Sequence, residues 1–297
     1  MSCIEEKNTI RNILKWAIAA LKESGIDLPV ITADTLLSYT LSCNRTKLYT
    51  NPDDLINGNV ILRYKGLINE RKKHVPLQYL TRQVEFMSLD FVVNEHVLIP
   101  RPETEILVET VLKKAHNNQI QNKKTTIMDI GTGSGNISIS LAKNLSNTEI
   151  YASDISQDAL TIAKANAQKH NVLNSVHFLH GDLFSPFKGS VEKGEIDFIV
   201  SNPPYVSDSE WHSLEPEVRD HEPRRALVGG EDGFCISRHI IKEAIDWLKP
   251  GGYLIIEIGE TQANSIINLL GNEGRYKEIE TIKDLQGRER IISTKRE

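Results

Sequence analysis

Thr125-Thr126-Ile127-Met128-Asp129-Ile130-Gly131-Thr132-Gly133-Ser134-Gly135-Asn136-Ile137-Ser138-Ile139-Ser140-Leu141-Ala142 decides how the rest of the chain is read. A β-prone run ends in three alternate glycines and gives way to a helical pattern, so the stretch predicts strand, tight turn and helix in succession. Lacking a Cβ, Gly131, Gly133 and Gly135 can take positive φ and let the backbone approach a ligand closely. Position 136 is Asn, so the run is Gly-x-Gly-x-Gly and lacks the last glycine of a dinucleotide fingerprint. A purely structural turn is the alternative.

Three further strand ends bear on that choice. Glu149-Ile150-Tyr151-Ala152-Ser153 ends in Asp154, an acid about 20 residues beyond the glycine turn, where it can accept from both ribose hydroxyls. A helix N-cap is the competing reading of Asp154. Val176-His177-Phe178-Leu179-His180 runs into Gly181-Asp182-Leu183-Phe184; there Asp182 can accept from an exocyclic adenine amine while Leu183 or Phe184 covers a ring face. Ile196-Asp197-Phe198-Ile199-Val200-Ser201 leads into Asn202-Pro203-Pro204-Tyr205. Two prolines fix φ and remove two donors, and Asn202, preceding a proline, is held extended. Such a loop offers the Asn202 side-chain oxygen and the Pro203 carbonyl as acceptors, with Tyr205 as a stacking plane; a pair of acceptors suits a substrate amine or amide nitrogen. A rigid turn with a local Asn cap is the alternative. No Gly-Lys-Ser/Thr follows the glycines to hold phosphate. A nucleoside without phosphates beside an amine-holding loop is most simply S-adenosylmethionine.

The alternation of strands and helices after residue 103 predicts an α/β domain on a parallel sheet. Upstream, Ile10, Ile13, Leu14, Ala17, Ile18 and Leu21 recur at helical spacing, and Leu36, Leu37 and Leu41 continue it past Pro29. Phe86, Leu89, Phe91, Val93 and Val97 then switch to a period of two. The expected division is a helical substrate-docking domain at 1–75, a β-hairpin linker at 76–102 and a catalytic domain at 103–297, with a terminal antiparallel hairpin at 276–283 and 289–294. Residues 206–233, rich in Asp, Glu, Pro and Gly, read as a long loop, a lid or substrate wall.

The 297 residues, 39% hydrophobic, suffice for one full α/β domain and a small accessory one. No apolar run reaches the roughly 20 residues of a membrane span, and Met1-Ser2-Cys3-Ile4-Glu5-Glu6 lacks the basic and apolar regions of a secretory signal, so a cytoplasmic location is expected. Cys3, Cys43 and Cys235 are scattered, which fits reduced thiols and predicts neither disulfide framework nor metal site. The net charge of −5 argues against a nucleic-acid polyanion as main partner.

Asn202-Pro203-Pro204-Tyr205 with the glycine turn is shared by amino-group methyltransferases generally, and Val97-Leu98-Ile99-Pro100-Arg101-Pro102-Glu103-Thr104-Glu105 resembles the signature of the HemK-type (PrmC-like) protein-(glutamine-N5) methyltransferases, which modify peptide chain release factors. Pro76-Leu77-Gln78-Tyr79-Leu80, Glu85-Phe86, Asp90-Phe91-Val92-Val93 and 222–233 agree, so the resemblance spans essentially the whole chain. It implies a seven-stranded class I S-adenosylmethionine-dependent (Rossmann-like) methyltransferase domain behind a small N-terminal helical domain. It implies transfer of a methyl group to the glutamine of a Gly-Gly-Gln motif, tuning translation termination, with no direct nucleic-acid requirement. By the same resemblance Gly131, Thr132, Gly133, Ser134 and Gly135 line the cofactor's methionine moiety, Asp154 takes its ribose, and Asp182 and Leu183 its adenine. Asn202, Pro203, Pro204 and Tyr205 hold the glutamine, Asn202 also reaching the cofactor, and Asn202, Pro203 and Tyr205 carry the catalysis. Arg101, Glu103 and Thr104 border the same cavity or form an ion pair and helix cap. Other readings compatible with the tetrapeptide are an adenine-N6 methyltransferase, which needs base flipping and a basic groove, a glutamine methyltransferase acting on a ribosomal protein, and a non-enzymatic cofactor-binding scaffold.

Overall fold

The computed structural model describes residues 8–117 and 124–297; Cys3 and the Met1–Glu6 stretch lie outside them. Contacts divide the chain into two compact units, one of residues 1–82 with 215–221, the other of 83–214 with 222–297.

The first unit is helical: α1 (Ile10–Glu23), α2 (Pro29–Leu41), α3 (Arg45–Thr50), α4 (Gly58–Arg71) and α5 (Leu77–Thr81). Thr9, Asn44 and Asn57 cap α1, α3 and α4 by accepting from backbone N–H groups two or three residues on. The expected stripe closes on itself, with Ile10, Ile13, Leu14, Ala17 and Leu21 packing on Leu36, Leu37, Tyr64 and Ile68.

The second unit opens with the hairpin β1 (Gln83–Phe86) and β2 (Leu89–Val92). Met87 and Ser88 at its tip both have positive φ, as a two-residue primed turn demands. Phe86 and Phe91 meet edge to face, centroids 6.0 Å apart, and belong to the core beneath the sheet. Next come α6 (Pro102–Asn117), β3 (Thr125–Ile130), α7 (Asn136–Asn144), β4 (Thr148–Asp154), α8 (Gln157–Lys169), β5 (Val176–His180) and β6 (Ile196–Ser201). Then α9 (Pro216–His221), α10 (Arg224–Leu227), α11 (Cys235–Trp247), β7 (Leu248–Glu257), α12 (Ala263–Glu273), β8 (Tyr276–Lys283) and β9 (Glu289–Arg296) complete the chain.

β3 to β9 form a seven-stranded sheet in the order β5-β4-β3-β6-β7-β9-β8, with β9 antiparallel to both neighbours. Alternation along the central strands feeds two cores. Ile127, Phe198, Val200 and Ile255 join Leu107, Val111, Ile137 and Leu141 on one face, while Met128, Ile199, Leu254 and Ile256 join Ile240, Ile245, Ala263 and Ile266 on the other. From β3 the chain winds outward through β4 to β5, then returns to place β6 on the other side of β3. That reversal is where an open α/β sheet leaves a crevice at its carboxyl edge. Both the glycine turn and Asn202 leave the sheet there.

The stretch 206–233 is not the unbroken loop that its composition suggests. It contains a 3₁₀ turn (Glu210–Ser213), α9 and α10, and Val206 pairs with Val228 in an isolated bridge. Short helices with one turn or two carry too few apolar repeats to be read from sequence.

Candidate active site

A cavity of about 540 Å³ opens at the crevice. Gly131, Gly133, Asp154, Asp182, Leu183, Asn202, Pro203 and Pro204 all line it. Thr132, Ser134, Gly135 and Tyr205 stand behind the lining, for reasons visible in their packing. The Thr132 hydroxyl donates inward to Asp129 at 2.6 Å, Ser134 is buried, and Gly135 sits where a Cβ would lie 2.8 Å from Ile139 Cδ1 and 3.3 Å from Ala163 Cβ. The third glycine thus serves the packing of α7 on α8, and its φ of +81° opens α7.

The glycine turn is braced from beneath. Asp129, fully buried in β3, accepts from Thr132 and from Ser138, while the Asn166 side-chain NH₂ donates to the Ser134 carbonyl at 2.9 Å. Burial pushes the Asp129 carboxyl up to about 6, the two hydroxyls pulling the other way. At the end of β4, Asp154 Oδ2 accepts from the Gly133 N–H and Oδ1 from the Ser156 N–H, both at 2.8 Å. Ser156, not Asp154, caps α8. Burial raises the Asp154 carboxyl above the usual carboxylate range, against those two backbone bonds and the nearby Arg225. Asp182 is exposed at the rim, and Leu183 beside it has φ +46°.

The other end of the cavity is assembled from distant segments. Asn202 Nδ2 donates to Thr104 Oγ1 at 3.1 Å, and Thr104 donates to Glu257 Oε2 at 2.6 Å. Glu257 ends β7, is 2% exposed, and is pushed up to about 7 by burial, with Thr104, Arg290 and Asn202 opposing the shift and Glu103 adding to it. Burial likewise pushes the Tyr205 phenol up to about 12, with the Glu257 charge contributing. Arg101 pairs with the buried Glu222, which also accepts from the Ile99 N–H at 3.2 Å. Behind Asn202-Pro203-Pro204-Tyr205, a Cβ on Gly229 would lie 2.4 Å from the Pro204 carbonyl oxygen, and one on Gly233 2.4 Å from that of Tyr205. These glycines let the second segment back directly onto the tetrapeptide.

Sequence reasoning missed Glu257, Asp129, Glu222 and Arg225. The available signal was an acid within an otherwise apolar strand, as at Asp129 in Thr125–Ile130 and Glu257 after Tyr253-Leu254-Ile255-Ile256. Glu222 and Arg225 lie in the segment 222–233 that shares in the resemblance, which gave them no role of their own.

The lining fits S-adenosylmethionine. Carboxylates at Asp154 and Asp182 suit ribose and adenine donors, Ile155, Leu183, Ile236 and Ile240 supply apolar surface for a ring, and the backbone at Gly131 and Gly133 is free of side-chain bulk.

Residues 121–290 match the model of a methyltransferase domain, and residues 12–81 that of the PrmC N-terminal domain. A release factor glutamine methyltransferase of Clostridium acetobutylicum is 42% identical over 284 residues, 95% of this chain and 97% of that one. One from Geobacter sulfurreducens is 37% identical, covering 96% of this chain and 95% of the relative. Among solved structures, the hMettl16 catalytic domain in complex with a 3′UTR hairpin matches with a TM-score of 0.52 at 14% identity, covering 82% of this chain and 84% of that one, a likeness of fold. The glycine turn, the acid ending β4 and the Asn-Pro-Pro-Tyr loop therefore stand in a class I S-adenosylmethionine-dependent methyltransferase fold, and the chain belongs to the release factor glutamine methyltransferases.

Proposed function

We propose that this enzyme methylates the side-chain amide nitrogen of the glutamine in the Gly-Gly-Gln motif of peptide chain release factors. The observation that carries the site assignment is the Asn202 amide, which lines the cavity while its Nδ2 is tied back to Thr104. That leaves Oδ1 to accept a substrate N–H, and the Pro203 carbonyl provides a second acceptor.

An amide nitrogen is a poor nucleophile because its lone pair is delocalised into the carbonyl. S-adenosylmethionine supplies an electrophilic methyl group on a sulfonium. Two acceptors holding the two N–H bonds favour a pyramidal nitrogen whose free lobe is aimed, and such positioning is worth several kcal/mol. The hydrogen bonds strengthen as the nitrogen gains positive charge, so they stabilise the transition state more than the ground state. The nitrogen then loses one proton to water. Asp154 and Asp182 hold the nucleoside, Leu183 its ring, and Gly131 and Gly133 the methionine portion, with Thr132, Ser134 and Gly135 setting the turn's shape. Tyr205 closes the tetrapeptide's far side.

In this reading residues 1–75 dock the protein substrate, 76–102 connect, and 103–297 perform the chemistry. The helical unit has a core of its own, formed by Ile10, Leu14, Leu21, Leu36, Tyr64 and Ile68 among others, so it can present a surface independently of the catalytic residues. Among the described residues no helix is long and apolar enough to cross a membrane. With a release factor as substrate, the reaction in this reading is cytoplasmic and has no direct nucleic-acid requirement and no need of a membrane.

The test is to incubate the purified chain with methyl-labelled cofactor and, in separate reactions, an intact release factor, duplex DNA and ribosomal proteins, and to map the label by mass spectrometry. Label on the Gly-Gly-Gln glutamine, lost when that residue is glutamate, is expected. Label on duplex DNA or a ribosomal protein instead would overturn the assignment.

A further inference from the structure

Thr104 has a single hydroxyl proton, and it is donated to Glu257 Oε2 at 2.6 Å in a place where Thr104 is 1% exposed. With that proton committed, Thr104 Oγ1 can only accept from the Asn202 amide 3.1 Å away. The amide atom facing Thr104 is therefore the NH₂, and Oδ1 is left for the other side. Nothing within Asn202 makes that choice, because the two ends of a primary amide have nearly the same shape. Glu257 makes it, since a carboxylate accepts and does not donate. The groups facing Glu257 are Thr104 and Glu103 on α6, Asn202 and Tyr205 after β6, and Arg290 on β9; the Arg290 guanidinium favours the ionised form.

We propose that Glu257 is a positioning residue for the methyl transfer: through Thr104, and by accepting from the Asn202 amide directly, it fixes which end of that amide meets the substrate nitrogen, presenting an acceptor where a flipped amide would present a donor. This rests on the reading of Asn202 Oδ1 as the acceptor of a substrate N–H. Without Glu257 the Thr104 proton is free to turn to Asn202 Oδ1. The amide then reverses, and N–H faces N–H at the reacting centre.

The experiment measures kcat and KM on an intact release factor, with cofactor affinity by calorimetry, for Glu257→Leu, Glu257→Gln, Thr104→Ser, Asn202→Ala and the double variant Asn202→Ala with Glu257→Leu. Glu257→Leu is expected to lower kcat about tenfold or more, the cost of one mispaired buried hydrogen bond, with cofactor affinity within about twofold of the parent. Glu257→Gln, whose Oε1 can still accept the Thr104 proton, should recover much of that loss, and Thr104→Ser, which keeps the hydroxyl, should stay within about threefold. A merely structural Glu257 moves kcat equally in any background, whereas a positioning role vanishes once Asn202 is Ala, so the double variant should be no slower than Asn202→Ala alone. Should Glu257→Leu fail to fold, the Glu257→Gln and Thr104→Val pairings with Asn202→Ala form the same cycle. Additive losses, or a Glu257→Leu enzyme as fast as the parent, overturn the proposal while leaving Asn202 in its role. An Asn202→Ala enzyme that turns over at the parent rate overturns the acceptor reading itself.

Discussion

The two ends of the cavity are built in different ways. At the nucleoside end the bonds are short in sequence: Thr132 and Ser138 reach Asp129 across 3 and 9 residues, Ser156 reaches Asp154 across 2, and Gly133 reaches it across 21. At the acceptor end Asn202 meets Thr104 across 98 residues, Thr104 meets Glu257 across 153, and Arg101 meets Glu222 across 121. One end assembles as each strand joins its neighbour. The other exists only once α6, β6 and β7 are in place. Cofactor binding and methyl transfer should therefore be separable by substitution.

The largest expected effect lies at the acceptor end. Asn202→Ala removes one acceptor and leaves a substrate N–H unpaired, so the rate should fall at least about 100-fold, on the scale of deleting one oxyanion-hole donor, while cofactor affinity stays near that of the parent. Asn202→Asp keeps an oxygen but adds charge beside Glu257, and should fall between the two. If Asn202→Ala lost cofactor affinity in step with rate, the two ends would not be separable.

Asp154→Ala is the mirror experiment. Losing charge-assisted hydrogen bonds to ribose should weaken cofactor binding by roughly 1.5–3 kcal/mol, leaving kcat at saturating cofactor largely intact. Unchanged affinity by calorimetric titration would remove Asp154 from the site. A smaller effect is expected from Gly229→Ala, whose Cβ would lie 2.4 Å from the Pro204 carbonyl oxygen and 2.6 Å from that of Gly233. The tetrapeptide must shift, and a displacement of this kind costs on the order of tenfold in kcat. A parent-like rate would show that the backing segment yields instead.

The same contrast explains what the sequence disclosed. Strand, glycine turn and helix at 125–142 were legible because their signals are local and periodic, as were Asp154 at its strand end and the closing hairpin β8–β9. Asn202 was legible because two prolines restrict it from the next positions. Glu257 was not, because its meaning comes from Thr104 and Arg290, which no spacing links to it. For the same reason Thr104 could be read only as helix cap or cavity border. Which glycine-turn side chains face inward was also hidden, because it depends on Asp129 beneath them.

A comparison of another kind sets the buried acids of the two ends against each other by their titration. Burial raises Asp129 from 3.8 to about 6 and Glu257 from 4.5 to about 7. In each case the folded chain holds the proton more tightly than the unfolded chain. The stabilisation that results is full below the unfolded values and is lost as pH rises through the folded ones. Glu257→Gln removes its titration, so urea unfolding of parent and variant should diverge between about pH 4.5 and 7, the parent losing on the order of 3 kcal/mol relative to the variant. Asp129→Asn should do the same over a window about one unit lower, and should perturb cofactor affinity through Thr132 and Ser138, which Glu257→Gln should not. Kinetics adds a sign of its own: protonated Glu257, like Gln, can either accept from Thr104 or donate to it and so holds the amide less firmly than the carboxylate does, so kcat should fall toward the Glu257→Gln level as pH drops below about 7 in the parent, and this limb should disappear in Glu257→Gln. A parent–variant stability difference that is flat between about pH 4.5 and 7 would mean that Glu257 is ionised over that window in the folded chain as in the unfolded one, the charge of Arg290 offsetting its burial, and that the acceptor end holds its geometry across it.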